Sequence, residues 1–181
     1  MGFNNSIKES IVRLMSSIRP YSEQLPSGKL VNIENDSILL VFNYSTKQDL
    51  NRIITLVKNA REYLKNISVL AFNKKGDKII TKSDGDLLLV SLYDFNLIGK
   101  GKKRLANWLE DHSFGILISF FDKSDSFYDN IISSISSEFK SGIYHAKNVN
   151  LFDLTISQKE KDYNKQLEIF LHYINTLNIN G

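Results

Sequence analysis

Apolar and polar positions along the chain switch repeatedly between two periods. The stretch Ser37-Ile38-Leu39-Leu40-Val41-Phe42 is apolar throughout after its first residue, as a strand covered on both faces requires. It runs out into Asn43, Tyr44 and Ser45. Helical spacing then takes over, with Leu50, Ile53, Ile54, Val57, Ala60 and Leu64 on one stripe to about Lys65. Ser45-Thr46-Lys47-Gln48 reads as the capping box that opens this helix. Strand signals return at 67–72 and 86–92. The polar segment between them, NKKGDKIITKSDG, is too short for a helix and accommodates a short strand at 78–81, which leaves the relative direction of the flanking strands open.

The alternation continues to the end of the chain. A short helix at 102–110 turns Leu105, Trp108 and Leu109 inward, and a strand follows at 114–121. The next helix, 124–137, carries Phe127, Tyr128, Ile131, Ile132 and Ile135 on its inner face. Short strands at 139–145 and 151–156 precede a last helix over 160–177, patterned by Tyr163, Leu167, Phe170, Leu171, Ile174 and Leu177. Ahead of the first strand, residues 6–19 place Ile7, Ile11, Leu14, Met15 and Ile18 on one stripe that Pro20 ends. The spacing predicts an N-terminal amphipathic helix and connection over 1–36, then one α/β domain over 37–181. That domain is expected to be a three-layer, mainly parallel Rossmann-like sheet with helices on both faces.

Composition narrows the chemistry. With 42% hydrophobic residues in 181, a core of ordinary size forms without staples. The lack of cysteine removes disulfides, cysteine-based zinc sites, iron–sulfur clusters and thiol nucleophiles, and it suits a reducing cytoplasm, the expected location. A net charge of +3 is too small to demand a nucleic acid. No run of 18 apolar residues is present, so no transmembrane segment is expected, and the N-terminus lacks the pattern of a signal peptide.

In an open parallel sheet, ligands sit at the carboxyl ends of the strands. There the sequence delivers Asn43 and Ser45 after the first strand, Asp94 after the third, and Asp122 and Ser124 after the fourth. These five side chains form a candidate polar cleft. The competing reading is that Asp122 or Ser124 simply caps the following helix, as Asp and Ser do at about 1 kcal/mol each. The first strand-to-helix turn, FNYSTKQD, has no glycine, so neither a Walker loop nor a dinucleotide fingerprint is present and no cofactor is expected. His112, His145 and His172 are scattered, without metal-ligand spacing, and no nucleophile elbow occurs. No catalytic residue and no metal ligand is therefore assigned. Lys100, Lys102, Lys103 and Arg104 put four positive charges in five residues, a candidate patch for an anion or partner.

Taken in order, ILLVFNYS, FNLIGK (95–100), FGILISF (114–120), KSGIYH (140–145), FDLTI (152–156) and HYI (172–174) resemble a Bacteroidota family of cytoplasmic α/β proteins known as a domain of unknown function. The resemblance spans about 37–177. Gly101 stands where that pattern tends to have Pro, Ser119 where it often has an acidic residue, and Tyr144 where a basic residue is usual. FGILISF, the next helix and KSGIYH are also similar, more faintly, to the N-terminal half of heptosyltransferase-like glycosyltransferases, whose second domain this length cannot supply.

Two functional expectations result. The first is a non-catalytic cytoplasmic protein acting by contact with another macromolecule, a protein partner in the first place and a nucleic acid on weaker grounds. Its surfaces are the basic patch and the stripe at 6–19, which also has the form of a peripheral membrane contact. The alternative is a small-ligand protein or enzyme using the polar cleft, a relic of a glycosyltransferase acceptor half among its forms.

Overall fold

A computed structural model describes residue 33 and residues 36–73, 86–96, 101–123, 125–147, 149–157 and 161–179. The chain runs β1 (Ile38–Asn43), α1 (Lys47–Ala60), β2 (Ile67–Asn73) and β3 (Leu87–Ser91), then α2 (Lys103–Glu110), β4 (Phe114–Ser119) and α3 (Ser126–Ser134). It closes with β5 (Ser137–Ile143), β6 (Leu154–Ile156) and α4 (Tyr163–Ile179). Short 3-10 turns follow β3, at Leu92–Asp94, and precede β6, at Val149–Leu151.

The six strands form one sheet in the order β3-β2-β1-β4-β5-β6, every neighbouring pair parallel. The direction left open between β2 and β3 is thus settled as parallel, with Leu70 beside Leu88. The chain builds outward from β1 to β3 and then returns to the other side of β1, so the strand order reverses between β1 and β4. The short strand expected at 78–81 and the helix expected at 6–19 lie outside the described residues.

Two apolar layers sandwich the sheet. Ile38, Leu40 and Phe42 of β1 face the side where Ile53, Leu56 and Val57 of α1 and Leu167, Phe170 and Ile174 of α4 pack. Leu39 and Val41 face Leu105 and Trp108 of α2 and Phe127, Ile131 and Ile132 of α3. Alternation of side chains along a strand sends successive residues to opposite faces, and the unbroken apolar run of β1 is what two such faces demand. Aromatic rings fill much of both layers, with Phe42 stacked on Phe120 at 4.4 Å and Phe72 against Phe127 at 5.0 Å.

Several predicted ends move. The helix at 124–137 is shorter, ending at Ser134, because Ile135 turns extended (ψ 126°) and β5 already pairs with β4 from Ser137. The capping box of α1 sits one residue later than the sequence suggested. Thr46 is the N-cap, accepting from the Asp49 N–H at 3.1 Å, while the Asp49 carboxylate accepts from Thr46 N–H at 3.0 Å. A carboxylate at the third helical position serves the box as a Glu or Gln would, and Gln48 falls outside it.

Candidate functional site

β1 and β4 leave the sheet side by side. The Phe120 N–H still donates to the Val41 carbonyl at 2.8 Å, holding the strands together up to the point where both chains turn. Just beyond, Asn43 ends β1, and its Nδ2 donates to Asp122 Oδ1 at 3.2 Å. This hydrogen bond crosses the place where the strand order reverses, the position at which open parallel sheets bind ligands.

Asp122 is not the helix cap. That role belongs to Asp125, in extended conformation (φ −141°), which accepts from the Phe127 N–H at 2.9 Å. The capping reading of Asp122 is therefore corrected. The helix begins only at Ser126, and Asp122 lies too early in the turn to serve its first N–H groups. Asp122 is exposed, and its Oδ1 is held by Asn43. Ser45 is exposed beside this pair in sequence, and its N–H is taken by the Asp49 carboxylate at 3.2 Å. Ser124 lies outside the described residues.

Tyr163 joins the site from the other end of the chain. As the first residue of α4 it lays its ring edge-on to Phe42 and Phe120, at 5.3 and 5.9 Å. Its hydroxyl is pushed above the usual phenol pKa by burial and by the carboxylates of Asp49 and Asp122, against which Arg52 acts weakly. The phenol is thus a proton-bearing donor near two acceptors. The sequence showed Tyr163 only as part of an apolar stripe, since nothing local says that α4 begins over the ends of β1 and β4. A groove continues from this point between Gln48, Asn51 and Arg52 of α1 and Lys161, Asp162 and Asn164 at the start of α4. At the same edge, beyond β5, His145 buries its Nε2 without a hydrogen-bond partner among the described residues.

The helix N-termini that flank the site are occupied. Helix N-termini attract phosphate through unpaired N–H groups and the helix dipole. At α1 that place is filled by Asp49. Burial raises its pKa, but hydrogen bonds from Thr46 and the Ser45 and Thr46 N–H groups, with Arg52 nearby, bring the net value below the usual carboxylate range. At α3 Asp125 fills it. Both flanking helices carry their own carboxylate.

Asp94 does not reach this site. β3 is an edge strand among the described residues, two places from β1, and Asp94 closes the turn after it by accepting from the Ser91 N–H at 2.9 Å. Its other oxygen holds Arg104, with Nη2 at 2.8 Å and Nε at 3.1 Å, while the same guanidinium donates to the Leu89 carbonyl at 2.6 Å. Two residues assigned by sequence to different sites are one ion pair. Arg104 is thereby withdrawn from the basic patch, because a planar guanidinium can satisfy a carboxylate and a strand carbonyl together. Lys102 and Lys103 are exposed at the start of α2, whose N-cap, Lys102, makes no side-chain cap. Lys100 lies outside the described residues.

Among the described residues, no three His, Cys, Asp or Glu side chains gather where they could hold a metal ion, and no helix is long and apolar enough to cross a membrane. No curated protein and no solved structure matches the chain. Residues 4–177 do match a family profile, so the match takes in the N-terminal stripe as well as the whole sheet, and the chain belongs to the Family of unknown function (DUF6913).

Proposed function

We propose that the protein binds a small polar molecule, rich in hydroxyl or amine donors and free of phosphate, at the crevice between the ends of β1 and β4. The observation that carries this reading is the Asn43–Asp122 pair, placed at the strand-order reversal with Asp122 free of any capping duty. Asp122 offers an acceptor, the protonated Tyr163 a donor, and the self-capped helices turn phosphate away. Hydroxylated ligands suit such a site, and the faint likeness to a glycosyltransferase acceptor half points the same way.

A thermal-shift screen tests it, using sugars, polyols and amines beside their phosphorylated counterparts. Unphosphorylated compounds are expected to raise the Tm, and Asp122→Ala to abolish that shift while leaving the unliganded Tm unchanged. Asp125→Ala serves as the contrast, losing about 1 kcal/mol of stability as a cap. A library without a single hit would sink the proposal, and hits confined to phosphorylated compounds would overturn its electrostatic basis.

A second reading rests on Lys102 and Lys103, two exposed cations at the uncapped start of α2, as a surface for a macromolecular partner, a protein or, on weaker support, a nucleic acid. Lys102→Glu with Lys103→Glu is expected to release that partner in a low-salt pull-down without lowering the Tm. Undiminished recovery by the variant removes the basic surface from consideration. A cytoplasmic setting and a Bacteroidota origin belong to the same proposal, supported by the cysteine-free composition and by the family resemblance.

A further inference from the structure

The far flank of α4 carries apolar side chains that the core does not use. Phe170 and Ile174 are buried beneath the helix, yet Ile169, Tyr173 and Leu177, spaced four apart, remain 38%, 49% and 52% exposed. Spacing of four aligns them in one row along the helix. Ile169 and Tyr173 form one wall of a groove whose other wall is Leu154 and Ile156 of β6. Among the described residues β6 is an edge strand, paired with β5 alone. A single exposed leucine is ordinary, but a row of large apolar side chains beside an edge strand is the form of a covered surface.

We infer that this groove seats the chain's own N-terminal segment, residues 6–19, in cis. Five observations select that occupant. The chain enters the described body at Ile33, which is 8% exposed and buried in the α1 and α4 layer, the layer that also holds Ile156 and Ile174. The thirteen residues 20–32 can span roughly 40 Å at about 3.3 Å each, more than a small domain's radius, so the segment reaches the groove with slack. The stripe Ile7, Ile11, Leu14, Met15 and Ile18 is about 17 Å long as a helix, against about 12 Å for the row from Ile169 to Leu177. Lys8 and Arg13 flank that stripe, and Glu168 stands on the groove's rim to receive one of them. The family match begins at residue 4, which makes the stripe part of the matched unit rather than an appended tail.

The chain has no cysteine, so introduced thiols report without background. Leu14→Cys or Ile11→Cys, combined with Ile169→Cys or Tyr173→Cys in the full-length protein, is expected to yield an intramolecular disulfide at high dilution. It is read as a monomer lighter by two hydrogens in the intact mass. Leu14→Cys with Tyr93→Cys, at the opposite edge of the sheet, is the control. In parallel, Ile169→Glu with Tyr173→Glu is expected to speed tryptic cleavage after Lys8 and Arg13 tenfold or more, with the Tm of the body unchanged because both side chains are on the surface. Disulfide-linked dimers would overturn the inference in favour of a second copy. Bonds no more frequent than in the control, cleavage unaffected by the two glutamates, or protection of the segment only by anionic vesicles would each overturn it as well.

Discussion

Lys140 shows how one residue can be costly and useful together. Its side chain is buried on β5, and Nζ donates at 3.1 Å to the Ile132 carbonyl in the last turn of α3, which also accepts the longer 3.4 Å bond from the Ile135 N–H. Asp153 accepts from the Lys140 N–H at 2.7 Å. Burial drives the ammonium pKa below its ordinary value, with Asp153 opposing. The folded state therefore binds the proton less tightly than the unfolded state. This group's contribution to stability is lost as pH falls through the lowered pKa, and is regained as pH rises toward 10.5. Lys140→Met is expected to lie within about 1 kcal/mol of the parent at pH 7, since replacing a buried charge by an apolar chain of like volume is often neutral. Its stability relative to the parent should decline between pH 7 and 10. Urea unfolding at both pH values measures this, and a relative stability independent of pH would mean that Lys140 is not the titrating group. Much at this scale was hidden in the sequence. The cap at Asp125 rather than Asp122, and the box at Thr46 rather than Ser45, depend on turn lengths within a few residues, and several residues in each stretch can cap.

Strands and helices were legible because their periods differ. β1 and β4 read as unbroken apolar runs, and α1 and α4 as stripes, from the order of residues alone. The ends of elements were not, because pairing to a neighbour decides them. β5 begins at Ser137, inside what sequence assigned to a helix, since β4 offers it a partner there. The packing between elements also leaves marks at single positions. Gly142 of β5 lies under the ring of Phe152, and a Cβ at that position would come within 2.5 Å of two ring carbons. Gly142→Ala is expected to cost about 1–3 kcal/mol through overpacking. Adding Phe152→Leu should restore part of the loss, as a double-mutant cycle followed by urea denaturation can show. Additive losses would place the strain elsewhere.

At the scale of the whole molecule, a single sheet joins the two apolar layers. β1 contributes Phe42 to one and Val41 to the other, so neither layer can loosen without disturbing the strand they share. Ile174→Val, in the α4 layer, is expected to remove about 1 kcal/mol and to lower the Tm by roughly 2–4 °C. Trp108, the sole tryptophan, lies in the opposite layer and should report the same drop as circular dichroism. A tryptophan transition left in place would mean that the layers unfold apart.

The sequence by itself determined the class of architecture, through the alternation of apolar runs and stripes, and it excluded thiol chemistry by composition and a Walker loop or dinucleotide fingerprint by the glycine-free turn after the first strand. Local patterns of this kind are set by which face of a strand or helix must be buried, and that much is written residue by residue. Only the tertiary structure decided that β4 returns beside β1, that Asn43 bonds Asp122 across the gap, that Tyr163 arrives there from the far end of the chain, and that Asp94 is spent on Arg104. These are meetings between residues distant along the chain, and what selects them is the order in which strands pair, a property of the whole chain's packing rather than of any segment within it.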